Sequence, residues 1–337
     1  MNSKSILATL AYYDTLDYPL TAGEIFKFSI NQDRMKSQEA PVNKVFVPSF
    51  HKNCSPPPLT DYLNCLDTLV KEGKLEEKNG FYFLPGRAVL YQERIERNKI
   101  AEQKWKKARR YLFLAQVVPY IEAIFASGSL ALGHTGKESD LDVLVVAKYG
   151  RIWTARVIIS VLMNLLGVRR KDKERIAPDK ICLNHYITGR SLKIPFESMY
   201  NAQSYAHLIP IYWREEDIIK RFWEENGEWA KKFLNFWERP DGYQRRAVRR
   251  NRFLGWIKSA VEMMLDRTGL AGLLERFSRK IQMARINTAL PGRITADDRQ
   301  LEFHPYSAEK DIIKKYNLAI SKLGIFGNYR ETDSGLR

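Results

Sequence analysis

The heptapeptide Leu141-Asp-Val-Leu-Val-Val-Ala147 is apolar at every position except Asp142. A strand with one solvent-facing side alternates apolar with polar, whereas a run of this kind needs protein on both faces. The chain must therefore supply covering layers and further strands. Tyr120–Ala126 and Lys180–Thr188 have the length and apolar character of strands, and Ile152–Leu166 reads as a buried helix. Alternating strand and helix predict an α/β or α+β core over residues 119–195.

At 337 residues the chain exceeds one ordinary domain. Residues 1–86 hold a first helix from about Ser3 to Tyr13. A second is capped by Thr21 with Glu24 three residues on, the reciprocal capping box. Residues 30–58 break all periodicity and end in Pro56-Pro57-Pro58, which predicts a long loop or insertion. A third helix from Thr60 is expected to bury Leu63, Leu66, Leu69 and Val70 and to stop at Gly73. Leu75–Leu84 then alternates around Asn79-Gly80, a strong hairpin signal. Three helices and a hairpin in this order read as a winged helix. Residues 87–118 read as one long charged helix, a solvated connector, and residues 196–337 as a helical, basic C-terminal region.

Lys and Arg number 55 against 39 Asp and Glu, a net charge of +16. The excess is confined to the residues after Gly86, because residues 1–86 hold 9 basic and 10 acidic side chains. An anionic partner is expected there, especially over 247–286, a long basic amphipathic region that carries Arg249, Arg250, Arg252, Lys258, Arg276, Arg279, Lys280 and Arg285. Cys54, Cys65 and Cys182 show neither disulfide-framework nor zinc spacing. The longest apolar run, Val157–Val168, is too short for a bilayer, and the N-terminus lacks a secretory apolar segment. A cytoplasmic protein without a membrane partner is the expectation. The sequence holds no P-loop, no dinucleotide fingerprint and no recognisable Ser-His-Asp arrangement.

The chemistry-bearing stretch is Gly128-Ser-Leu-Ala-Leu-Gly-His-Thr-Gly-Lys137-Glu-Ser139-Asp140-Leu-Asp142-Val-Leu-Val-Val146. A glycine at a strand end lets backbone approach a ligand closely, and a following helix start offers free N–H groups. Asp140 and Asp142 stand two apart at the head of a strand and therefore share a face. Two ionised carboxylates about 5 Å apart repel by about 3 kcal/mol at an effective dielectric of 20. Either a basic side chain or a hard divalent cation must lie between them.

Gly128-Ser129, ten intervening residues and Asp140-Leu141-Asp142 before an apolar strand resemble the signature of the DNA polymerase β-type nucleotidyltransferase superfamily. The string is especially similar to the minimal nucleotidyltransferases, over residues 119–190. That resemblance implies a nucleotidyltransferase-type mixed β-sheet core with flanking helices, an α+β fold. It further implies that Gly128 and Ser129 hold the β,γ-phosphates of an NTP, with Ser139 and Lys137 as further nucleotide-binding residues in the same loop. Asp140 and Asp142 would ligate Mg²⁺, with Mn²⁺ as an alternative. A hydroxyl would attack the α-phosphate and pyrophosphate would leave.

The family pattern also implies a third acid on a later strand. The expected position, in Lys180–Thr188, holds Asn184, which can ligate a cation but cannot take a proton. Asp179 has the opposite parity, and a packed reading is favoured for His185 over a role as base. Arg151 and Arg156 are candidate supporting cations, and the run Arg169–Arg175 could face phosphate or polynucleotide.

Three functions follow as expectations. The first is an NMP transfer from an NTP to an unidentified hydroxyl of RNA or tRNA, protein or a small molecule. The second is an NTP-binding regulator with little or no turnover, motivated by Asn184. The third is nucleic-acid binding through residues 1–86, weakened by Asp61, Asp67 and Glu72 on or beside the third helix. Neither the acceptor nor an oligomeric state is legible.

Overall fold

The computed structural model describes residues 3–31, 58–171, 174, 176–286, 293–304 and 308–325. The expected insertion at 30–58 lies almost wholly outside the described residues.

The N-terminal part contains α1 (Ser3–Asp14), β1 (Leu20–Thr21), α2 (Ala22–Lys27), α3 (Leu59–Lys71), β2 (Glu76–Lys78) and β3 (Phe81–Phe83). The capping box forms: Thr21 Oγ1 accepts from Glu24 N at 3.3 Å, and Glu24 Oε2 accepts from Thr21 N at 2.9 Å. Asn79 and Gly80 both take positive φ, 51° and 81°, as a tight hairpin turn demands. The three strands pair antiparallel in the order β1-β3-β2. Helix α3 buries Tyr62, Leu66 and Leu69. Leu63, expected on that face, is exposed, because the buried stripe follows 62, 66 and 69.

Helix α4 (Val89–Leu112) leads through a 3₁₀ turn (Phe113–Val117) into a six-stranded sheet. The sheet comprises β4 (Ile121–Ala126), β5 (Leu141–Ala147), β6 (Ile181–Thr188), β7 (Ile209–Trp213), β8 (Arg293–Ala296) and β9 (Gln300–His304). Their order is β7-β4-β5-β6-β9-β8, with β5 and β6 parallel and the other neighbours antiparallel. The C-terminal region, expected to be helical, therefore contributes strands to the sheet as well. Its three strands, each four or five residues, are too short to show a period of two against the aromatic background. Pro210 within β7 suits the edge that β7 occupies.

Both faces of β5 are covered. On one, Phe125, Leu144, Val146 and Ile187 share a core with α1–α3 and with α7 (Met199–Ala206), α8 (Glu216–Phe233) and α11 (Glu309–Lys322). On the other, Ile124, Val143, Val145 and Tyr186 pack with Trp105 of α4 and Trp153 of α6 (Ile152–Leu165). Leu265 of α9 (Arg252–Arg267) and Ala271 of α10 (Leu270–Ile286) join that second core. The mixed α+β class stands. Among the described residues no helix is long and apolar enough to cross a membrane.

The N-terminal helices are tied to the sheet layer by polar contacts as well as by the shared core. Tyr18 Oη donates to the Leu132 carbonyl at 2.7 Å, Arg94 donates to Glu24 at 2.7 Å, and Gln203 Nε2 donates to the Phe28 carbonyl at 3.0 Å. The Arg94 guanidinium also lies 3.6 Å from the Tyr18 ring centroid.

Candidate metal and nucleotide site

The site forms where β4 ends and β5 and β6 begin. Ser127 N donates to the Asp142 carbonyl at 2.9 Å, the last rung between β4 and β5. Gly128 then turns at φ +59° and opens the five-residue helix α5 (Gly128–Leu132). A Cβ at position 128 would stand 2.5 Å from Asp142 Oδ2, so the carboxylate lies flat against the glycine backbone. No residue other than glycine fits there without moving Asp142. Gly128 is exposed and Ser129 half-buried, so the turn is open to solvent beside the acid pair.

The loop carrying Asp140 is pinned from two sides. Ser139 Oγ accepts from Gly136 N at 3.1 Å, which closes a local turn and occupies that hydroxyl. From α4, Lys104 Nζ donates to the carbonyls of Lys137 at 3.1 Å and Ser139 at 2.6 Å and to Asp179 Oδ1 at 3.0 Å. Lys104 is 2% exposed. The long helix is thus more than a solvated connector. Its buried face runs Ala101, Lys104, Trp105, Ala108 and Leu112, a helical period that carries Lys104 inward. Lys107 makes a second ion pair with Asp179, which faces these lysines and not the acid pair. The side chain of Lys137 is exposed.

Carboxylate oxygens of Asp140 and Asp142 and the Sγ of Cys182 lie within 4.8 Å of one another. The parallel register pairs Asp142 with Cys182 and Leu144 with His185, so one extra β6 residue is accommodated between them. Asn184 falls in that irregularity. Cys182, two residues before Asn184, is the β6 residue that pairs with Asp142, in register with Leu141 and Ile181 and ahead of the irregularity. His185 is buried, with Tyr205 Oη at 3.3 Å on Nδ1 and Gln300 Nε2 at 3.3 Å on Nε2, the packed arrangement favoured from sequence.

A basic side chain does reach the acids. Arg170 Nη1 lies 2.5 Å from Asp140 Oδ2 and 3.7 Å from Cys182 Sγ. It comes from the basic run at 169–175, held by a rung from Arg170 N to the Ile181 carbonyl at 3.0 Å. Arg151 and Arg156 lie elsewhere: Arg151 pairs with Asp266, and Arg156 donates to Gln282 and sits over the Phe303 ring.

Burial, then the charge of Asp140, pushes the Asp142 carboxyl up to about 6. Burial, reinforced by Asp142 and Asp140, raises the Cys182 thiol far above its ordinary range. The cluster thus brings together two carboxyl groups, a thiol held protonated and a guanidinium. That donor set fits a hard divalent cation at Asp140 and Asp142, with remaining positions left to phosphate and water. A protonated thiol is a poor third ligand for such an ion.

A separate cleft of about 430 Å³ lies at the opposite end of the sheet, lined by Glu122, Lys148, Arg190, Arg214 and Arg221 among others. Most of its cations are engaged by the chain: Lys148 with Asp266, Arg214 with Glu262, and Arg221 with Glu225 and the Gly189 carbonyl. It includes neither the glycine turn nor the acid pair.

No family model, curated protein or solved structure matches the chain.

Proposed function

We propose that the chain transfers an NMP from an NTP to a hydroxyl acceptor at the Gly128-Ser129 turn and the Asp140–Asp142 pair. The observation that carries this reading is the contact between Gly128 and Asp142. A glycine held at positive φ against a carboxylate and itself exposed would let phosphate oxygens approach beside a cation-binding group. Asp140 and Asp142 would hold Mg²⁺, or Mn²⁺ in its place. When bound, the ion would neutralise charge on the triphosphate and on the departing pyrophosphate. In the transfer, the acceptor oxygen forms a bond to the α-phosphorus. The α–β phosphoanhydride bond breaks, pyrophosphate takes the electron pair, and the hydroxyl proton passes to solvent.

This chain's part is chiefly positional. Lys104 fixes the loop backbone at Lys137 and Ser139, which sets where Asp140 projects. Gly128 gives the triphosphate access. Burial and the charge of Asp140 raise Asp142, and a bound cation would oppose that rise. The N-terminal helices with their three-stranded sheet suit a winged helix, and the exposed Asp61 and Asp67 of α3 favour a protein contact over DNA. Free Cys65 and Cys182 suit a reducing, cytoplasmic setting.

A second reading is favoured by Cys182 and Arg170. With a thiol beside Asp142 and a guanidinium on Asp140, the site has less negative charge than three carboxylates would supply. A protein that binds NTP and transfers it slowly or not at all fits these two residues. Calorimetry with Mg²⁺ and each NTP, with Asp140→Asn plus Asp142→Asn as the control, tests the shared premise. Heat that the double variant abolishes supports the site, and equal signals from both proteins overturn it. Pyrophosphate release with a mixture of acceptors, lost in Asp142→Ala, separates the transferase from the silent binder.

A further inference from the structure

Helices α9 and α10 are built inside out. In α9 the face turned to the sheet carries Lys258, Glu262 and Leu265, all buried. Lys258 donates to the Ile121 carbonyl and to Tyr212 Oη, and Glu262 accepts from Tyr120 N and Arg214. The outward face carries Phe253 and Trp256, each 66% exposed and stacked on one another, then Met263 and Met264. The spacing 253, 256, 260, 263, 264 is a single stripe at helical period.

Helix α10 repeats the inversion after the turn at Gly269. Its inward residues are Ala271, Glu275, Ser278 and Gln282, with Glu275 accepting from Trp153 N and Thr154 N, and Gln282 donating to the Trp153 carbonyl. Leu270, Leu273, Leu274, Phe277 and Ile281 form the outward stripe, all exposed. Helix α6, which packs on α10, adds exposed Val161 and Leu165. A solvated helix puts its polar residues outward, and two consecutive helices doing the reverse mark a surface that meets an apolar phase.

We propose that this helical hairpin lies on the surface of a membrane containing anionic lipid. Charge selects that occupant. Every acid of the two helices is bonded to the protein: Glu262 to Arg214, Asp266, itself exposed, to Lys148 and Arg151, and Glu275 to backbone N–H groups. Arg252, Arg267, Arg276 and Lys280 remain exposed beside the apolar stripes. A bulky aromatic and aliphatic face bordered by arginine and lysine matches an interfacial helix, whose side chains sink to the acyl boundary while cations meet headgroups. A second copy of this chain would bring like charges together. Leucine, isoleucine and methionine offer no stacking surface to nucleic-acid bases. The absence of a crossing helix among the described residues concerns crossing and is compatible with lying in the interface.

Sedimentation of the full chain with vesicles tests this. It should pellet with phosphatidylcholine vesicles containing phosphatidylserine, little with phosphatidylcholine alone, and less as salt rises. Trp256→Ser plus Phe277→Ser, both at exposed positions, should weaken binding more than about tenfold. Arg276→Gln and Lys280→Gln, which leave the apolar stripes intact, should each weaken it about fivefold. Failure to pellet with anionic vesicles would overturn the proposal, as would equal binding to neutral ones. A dimer in solution that the Trp256 and Phe277 substitutions split, without vesicle binding, would also overturn it by assigning the face to a second copy.

Discussion

Arg170 Nη1 stands 2.5 Å from Asp140 Oδ2, so the chain carries its own counter-cation into the cluster a divalent ion would share. The two cations compete for one carboxylate. Replacing Arg170 with Ala should therefore tighten Mg²⁺ binding by about 1 kcal/mol, roughly fivefold, since the pair is partly solvated. Calorimetry with Mg²⁺ alone reads this. Unchanged or weaker binding would mean that Arg170 does not compete for the ion.

Gly128→Ala should damage the site more than it damages the fold. The φ of +59° costs an alanine about 1 kcal/mol, and the new Cβ, 2.5 Å from Asp142 Oδ2, must push the carboxylate aside. A melting temperature lowered by a few degrees together with loss of Mg²⁺–NTP heat is the expected pair of results. Wild-type heat from the alanine variant would dismiss the proposed phosphate seat.

Lys104→Met keeps the volume of a buried side chain and removes its three hydrogen bonds. Asp179 retains Lys107, but the carbonyls of Lys137 and Ser139 lose a donor. A destabilisation of roughly 2–3 kcal/mol in urea unfolding is expected, with weaker Mg²⁺ binding because the Asp140 loop loosens. The same change at exposed Lys106 should do neither.

The strand Leu141–Ala147 and the glycine-to-aspartate spacing were legible because each is a local pattern: unbroken apolarity for a strand covered on both faces, and parity for two acids on one face. The partner of Asp142 was not. The family pattern directed attention on β6 to Asn184, and only the pairing of the two strands shows Cys182 opposite Asp142. Lys104 was hidden differently, inside a run of lysines and arginines whose charge read as solvation, although its spacing from Ala101, Trp105 and Ala108 placed it on the buried face. The α9–α10 hairpin was read correctly as basic and amphipathic. Which side faced the protein depended on partners such as Arg214 and Trp153, far away in sequence.

Two histidines, His134 buried and His207 half-buried, make the junction between the N-terminal helices and the sheet layer acid-labile. His134 packs edge-on against Tyr18, and His207 packs on Phe28 with Tyr13 Oη 2.6 Å from its Nε2. Burial, helped by nearby arginines and, at His207, by Lys27, lowers both rings to about 3. An unfolded histidine takes its proton near pH 6.5, so between about 6.5 and 3 the unfolded chain binds more protons. Stability is then level above about pH 7 and falls as pH drops through that window, by roughly 2–4 kcal/mol for a fully buried ring. The melting temperature should fall between about pH 7.5 and pH 5, and His207→Gln, neutral at both, should make that fall shallower. An undiminished fall in the variant would move the acid sensitivity to other groups.

Cys182→Asp asks what the thiol costs the site. It would place a third carboxylate beside Asp142, at a position where burial and two acids already push an ionisable group toward its protonated form. Without metal the variant should be less stable, by about 1–3 kcal/mol, because a further buried acid adjoins Asp140 and Asp142. With Mg²⁺ the sign should reverse, since three hard oxygen ligands hold the ion better than two and a protonated sulfur. Melting curves with and without Mg²⁺ read both halves. A metal-induced rise in melting temperature larger in Cys182→Asp than in wild type supports the cation site, and pyrophosphate release gained with it would identify Cys182 as the reason for slow transfer. Identical metal-induced shifts in the two proteins would mean that the ion does not sit between these strands.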